Sequence, residues 1–269
     1  MADDQPPVRV RREGPVAVVL IDRPARRNAL RPQDVAALVA ALDTLDRDAG
    51  VRAVLLGGSG GTLCAGGDLA DDVASGPAAA VRYLSEFHRL LRSLVDMIAP
   101  VVVVLEGAAV GAGSSLALAA DVCIAAPDSR IALPFVHRGL VADSGVGLLL
   151  ARQLGLARAK ALLLGGRAVG AEQAEALGLV AAVDADPWAA GRRWADELAA
   201  GPPVAIASIK RLLNQAVLGD LGPYLAQELA AASASMGTGE PDEGITAFLE
   251  KRPPDFNGAA ARSGGDTRG

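Results

Sequence analysis

Two glycine-rich segments carry the residues best suited to chemistry in this sequence. Leu63-Cys64-Ala65-Gly66-Gly67-Asp68-Leu69 follows a short apolar run and a glycine turn, and Glu106-Gly107-Ala108-Ala109-Val110-Gly111-Ala112-Gly113-Ser114-Ser115 follows another. Small residues let a ligand approach the backbone closely. The second segment also opens a helical pattern, whose first N–H groups have no intrahelical acceptor and whose dipole favours negative charge. Two such N–H groups converging on one carbonyl oxygen would form an oxyanion hole. Donors of that kind contribute roughly 3–4 kcal/mol each to an acyl or enolate transition state. Taken singly, each segment also reads as glycines that only permit a tight turn.

Other glycine chemistries fit less well. There is no G-x-x-x-x-G-K-[ST] run for a nucleotide phosphate. Gly57-Gly58-Ser59-Gly60-Gly61 matches the nucleophile elbow of a hydrolase, but the following Gly61–Gly67 stretch is a poor helix. Its histidine could come only from His88 or His137, with no clear intervening acid.

The elements that must position these segments alternate in type. Val16–Ile21, Val51–Leu56, Val101–Leu105 and Val122–Ala126 read as strands; Pro32–Asp46, Val81–Met97 and Ser114–Ala119 read as helices. Such alternation implies an α/β body with βαβ crossovers. Gly201-Pro202-Pro203 marks the best boundary, so residues 1–200 are expected to form the body. Residues 201–256 form a helical region, with helices over Val204–Leu218 and Tyr224–Met236, and the small polar residues 257–269 a disordered tail. The chain has 269 residues, 51% hydrophobic and 21% charged, with 3% aromatics, so Ala, Val and Leu must pack the core. A net charge of −5 with scattered arginines argues against nucleic-acid binding. Cys64 and Cys123 could form one bridge, but both sit in apolar runs and read as free thiols. Met1–Arg12 lacks an apolar signal-peptide core, and no uninterrupted apolar stretch has membrane-spanning length, so a cytoplasmic protein is expected.

Five motifs in order, spanning nearly the whole chain, resemble the crotonase (enoyl-CoA hydratase/isomerase) superfamily. They are Ile21–Leu30, Leu63–Leu69, Glu106–Asp121, Gly165-Gly166-Arg167 with Ala171–Val180, and the tail Phe248–Phe256. The resemblance implies a spiral of ββα units with a C-terminal helical region that assembles homotrimers or dimers of trimers. It implies a coenzyme A thioester as substrate and no permanently bound cofactor or metal. The thioester carbonyl would be held by the amides of Ala65 and of Ala112, which stands where the family has its middle glycine. Arg26 and Arg27 would lie near the CoA phosphates, whose oxygens suit the two-pronged arginine donor, although each also reads as a solvated surface arginine. Ala29, Leu30, Gly67, Asp68, Leu69, Gly111, Pro134 and Phe135 complete the implied substrate-binding set.

The family's hydratases handle water with two glutamates, and both positions are altered. The first is Ser115 and the second Phe135. Serine is a poor general base without a partner and phenylalanine transfers no proton, so simple hydration is disfavoured. Gly139-Leu140-Val141-Ala142-Asp143-Ser144-Gly145 resembles instead the G-L-x-P-D-x-G segment of relatives that isomerise enoyl- or ring-derived CoA thioesters. Asp143 would carry a proton from one carbon to another, its pKa raised beside an apolar acyl chain. The bland alternative is a helix cap over Ser144–Leu148. Asp68 reads as a brace or cap, His137 as facing the pocket or the core, and Asp121 and Glu106 as structural. A non-catalytic acyl-CoA binder and a specialised decarboxylase or ring-forming relative are the other readings of the altered positions.

Overall fold

The computed structural model describes residues 6–69 and 77–257. Its main sheet has the strand order β1-β2-β3-β4-β6-β9. The strands are β1 (Val8–Glu13), β2 (Val16–Ile21), β3 (Ala53–Gly58), β4 (Val101–Leu105), β6 (Val122–Ala125) and β9 (Ala182–Val183). The β1–β2 pair is antiparallel and every later pair is parallel. A smaller sheet joins β5 (Ala108–Val110), β7 (Arg130–Ala132) and β8 (Ala168–Gly170). The sequence reading misses β1, whose Val8-Arg9-Val10-Arg11 alternation is a strand pattern carried by charged residues. That composition suits an edge, where charge discourages further pairing.

The buried strands have no polar face because helices cover both sides. Ala17, Val19, Ile21, Val54, Leu56, Val101, Val103 and Leu105 point into the principal core, with α1 (Pro32–Asp46) and α2 (Pro77–Asp96) on that side. The alternate residues Val16, Val18, Ala53, Leu55, Val102 and Val104 meet Ala195 and Ala199 of α7 (Pro187–Ala200). Between them in sequence run α3 (Ala112–Leu118), α4 (Val146–Leu154), α5 (Leu156–Leu164) and α6 (Ala171–Ala176). Gly191 lets α7 settle on the sheet, since a Cβ there would come within 2.9 Å of Val104 and 3.1 Å of Leu55.

Three helices follow: α8 (Pro203–Leu218), α9 (Leu221–Met236) and α10 (Glu240–Leu249). The proposed tail, 257–269, lies outside the described residues apart from Asn257. Among the described residues, no helix is long and apolar enough to cross a membrane. Buried Lys210 fastens α8 to the body. Its Nζ donates to Leu94 O at 3.1 Å, Ala99 O at 3.3 Å and Asp121 Oδ2 at 2.7 Å. Asp121 Oδ2 also accepts the Val101 N–H at 2.7 Å, so this aspartate is structural, as expected. Removing one partner of a buried ion pair strands the other. Lys210→Ala is therefore expected to lower the unfolding free energy by about 3 kcal/mol in urea denaturation. A loss under about 1 kcal/mol would refute this anchoring role.

Candidate active site

The two glycine-rich segments lie side by side, stitched by backbone bonds. Cys64 N–H donates to Ala108 O at 3.1 Å and Val110 N–H to Cys64 O at 3.0 Å. On its other side the first segment is tied to the Arg23–Leu30 stretch. Leu30 N–H donates to Gly66 O at 2.8 Å and Asp68 N–H to Leu30 O at 3.1 Å. That stretch is held by buried Asn28, which adopts a left-handed backbone (φ 57°) that asparagine tolerates better than most residues. Its Nδ2 donates to Ser59 O at 2.9 Å and Thr62 O at 2.6 Å, while its Oδ1 accepts the Arg23 N–H at 2.8 Å.

The stitching decides which amides remain available. Ala65, expected to supply one oxyanion donor, gives its N–H to Arg27 O at 3.0 Å. That assignment is corrected: a donor aimed at its own scaffold cannot point at a ligand. Gly66 then turns the chain (φ 92°), and a Cβ on it would lie 2.6 Å from Val110 O and 3.8 Å from Ala112 N. The next amide, Gly67 N–H, meets no acceptor among the described residues, and neither does Ala112 N–H at the first position of α3. Gly111 caps that helix at φ 53° and donates to Ala132 O at 2.9 Å.

Both amides border a cavity of about 420 Å³. Of the expected catalytic and substrate-binding residues, Arg26, Arg27, Ala29, Ala65, Gly67, Asp68, Leu69, Gly111, Ala112, Pro134, Phe135 and Asp143 line it. Leu30 and Ser115 do not: Leu30 is fully buried in the principal core, and Ser115 is fully buried in α3 with its hydroxyl unpartnered among the described residues. Phe135 is 4% exposed and its ring lies 3.8 Å from where a Cβ on Gly111 would sit.

Among the described residues, three aspartates line the cavity. Asp68 accepts from the largely buried Arg23 at 3.1 Å, and Arg23 also lies 3.2 Å from buried Asp34, so Asp68 braces the first loop. Asp242 sits in the first turn of α10, where the helix dipole favours its charge. Asp143 is carried by a loop with left-handed residues at Gly139, Ser144 and Gly145, and its Oδ1 accepts from Ser144 Oγ at 2.8 Å. The N-cap position of α4 is Gly145, two residues beyond Asp143.

Several lining residues were not legible. Tyr83 and Leu84 come from α2, Arg138 and Leu140 from beyond Phe135, and Ile245 and Phe248 from α10. The Arg138 guanidinium stacks 3.6 Å over the Phe248 ring, and burial lowers its pKa from the usual arginine value. His137 does not line the cavity. Its ring lies 2.3 Å from where a Cβ on Gly166 would sit. Glu106 accepts from Trp188 Nε1 at 2.8 Å and is structural. Among the described residues, no group of three His, Cys, Asp or Glu could hold a metal ion.

Cys64 and Cys123 are free and buried, and burial pushes both thiols up to about 12. For Cys64 the Gly66 backbone contact opposes this only in part. Burial thereby disfavours a nucleophilic cysteine beside the amides, since the thiolate is the reactive form. Iodoacetamide at pH 8 is expected to label neither thiol in the native protein and both after unfolding. Stoichiometric labelling of the folded chain would contradict this burial.

The chain matches the enoyl-CoA hydratase/isomerase family over residues 11–259. It is 38% identical over 245 residues to a probable enoyl-CoA hydratase of Rhodobacter capsulatus, covering 90% of this chain and 95% of that one. It is 34% identical over 249 residues to the 1,2-epoxyphenylacetyl-CoA isomerase of Escherichia coli, covering 90% and 95%. The crystal structure of an enoyl-CoA hydratase from Mycobacterium avium subsp. paratuberculosis superposes with a TM-score of 0.84 at 31% identity, covering 90% of this chain and 98% of that one. With the match running through both glycine segments and the Asp143 loop, the chain belongs to the enoyl-CoA hydratase/isomerase family and has its crotonase fold.

Proposed function

We propose that the protein isomerises an enoyl- or ring-derived CoA thioester, moving a proton between carbons of an enolate. The observation that carries this reading is Asp143, which lines the same cavity as the unpaired amides of Gly67 and Ala112. The thioester oxygen accepts from those two N–H groups, and the negative charge that develops on it is met by dipoles already in place. Asp143 removes an α- or γ-proton and returns it to the other carbon. A single carboxylate suffices because no water is added. The positions of the two hydratase glutamates hold a serine outside the cavity lining and a phenylalanine within it, which disfavours hydration.

Arg26 and Arg27 line the cavity and would meet CoA phosphates, while Tyr83, Leu84, Phe135, Leu140 and Ile245 offer the acyl group an apolar wall. Trimeric or hexameric assembly belongs to the same reading. It is supported by the apolar residues that α8 leaves exposed, Val204, Ile209, Leu212 and Leu213. Purified protein is expected to convert 3-hexenoyl-CoA to its 2-enoyl isomer faster than it hydrates crotonyl-CoA. The reverse ranking, with hydration unaffected in Asp143→Asn, overturns the proposal.

A further inference from the structure

Behind the cavity lies a polar cluster that the chemistry above does not use. Glu228 on α9 and His88 on α2 are both buried, and His88 Nε2 lies 2.7 Å from Glu228 Oε1. Both Glu228 oxygens also accept the Gly145 N–H, at 3.1 and 3.0 Å. Neither side chain lines the cavity, yet Leu84, one turn before His88, and Ala232, one turn after Glu228, both do. The pair therefore stands immediately behind the wall. Tyr224, one turn before Glu228, is a further titratable group that feels the Glu228 charge. Burial first, and the Glu228 charge second, push that phenol up to about 12, while a Leu148 backbone contact opposes them. It therefore stays neutral and leaves Glu228 to the imidazole and the amide.

We propose that Glu228, oriented by His88, is a positioning residue that fixes the backbone beneath Asp143. The loop needs such a clamp. Ser144 (φ 60°) and Gly145 (φ 74°) are consecutive left-handed residues, and a serine pays a steric penalty there that glycine does not. Buried Ser144 in turn donates to Asp143 Oδ1, so the amide held by Glu228 and the hydroxyl that meets the Asp143 carboxylate sit on adjacent residues of the loop. A hydrogen bond from a backbone N–H to a carboxylate is stronger than one to a neutral acceptor, and it holds one conformer where packing alone would allow several. Imidazole against the remaining carboxylate face keeps Glu228 from rotating. Misplacement of a reacting group by about 1 Å can cost about a hundredfold in rate.

The inference rests on the reading of Asp143 as the proton carrier, so three variants are compared with 3-hexenoyl-CoA: Asp143→Asn, Glu228→Ala and Glu228→Gln. Glu228→Ala is expected to lower kcat about a hundredfold, and Glu228→Gln, which keeps one acceptor for Gly145, about tenfold. KM should stay within about twofold of wild type in both, because the amides and the cavity wall are untouched. A merely structural staple would lower thermal stability without separating kcat from KM. Glu228→Gln decides the matter if the alanine variant does not fold. The inference is overturned if a folded Glu228 variant keeps wild-type kcat while Asp143→Asn is inactive, or if neither Glu228 variant folds, which assigns the pair to the fold. Wild-type turnover by Asp143→Asn is a different failure, that of the reading on which the inference stands.

Discussion

Asp143→Asn is expected to lower the isomerisation of 3-hexenoyl-CoA by about a thousandfold, the middle of the range for losing a positioned acid–base group. The substitution is nearly isosteric, and Asn Oδ1 can still accept from Ser144 Oγ, so the loop is expected to keep its shape. What disappears is the ability to take up a proton. Binding of a CoA thioester should survive, because it depends on Gly67, Ala112 and the cavity wall. Steady-state kinetics paired with calorimetric titration separates the two. Turnover within about tenfold of wild type would remove Asp143 from the chemistry.

Gly66→Ala is expected to cost about a hundredfold in kcat through geometry alone. The residue sits at φ 92°, and its Cβ would lie 2.6 Å from Val110 O, a backbone atom that cannot swing aside. Relief must come from separating the two glycine segments, and this pulls the Gly67 amide away from that of Ala112. The suitable control is Gly14→Ala in the β1–β2 turn. It also has positive φ (64°) but no atom within 4 Å of the new Cβ. The control should lose about 1–2 kcal/mol of stability with kcat unchanged. Equal activity losses in both variants would mean that general destabilisation, not separation of the amides, is responsible.

These two residues also mark how far the sequence could be read. The limits of β2, β4 and α1 follow from β-branched runs and a helical stripe that local patterning alone dictates. The two loops could be found from their glycines, and the family motifs gave their partners. Which amide of the first loop is unpaired could not be found that way. It depends on Arg27 O reaching Ala65 N–H from 38 residues away, and on the turn that Gly66 then makes. Of the three C-terminal helices, α8 and α9 were legible as helices and α10 was not. That Ile245 and Phe248 wall the cavity depends on the close packing of α10 against the Arg138–Gly139 backbone, which Gly244 permits. The His88–Glu228 pair was equally hidden. Its members lie 140 residues apart, and a lone histidine on a helical stripe carries no sign of its partner.

Asp143 and the amides have separate roles in this account, and a crystal structure with a bound, unreactive acyl-CoA thioester analogue tests both at once. The carbonyl oxygen is expected within about 3 Å of Gly67 N and Ala112 N. The Asp143 carboxylate is expected against the acyl Cα or Cγ. A carbonyl oxygen bound elsewhere, or an Asp143 carboxylate turned away from the acyl chain, would contradict these roles.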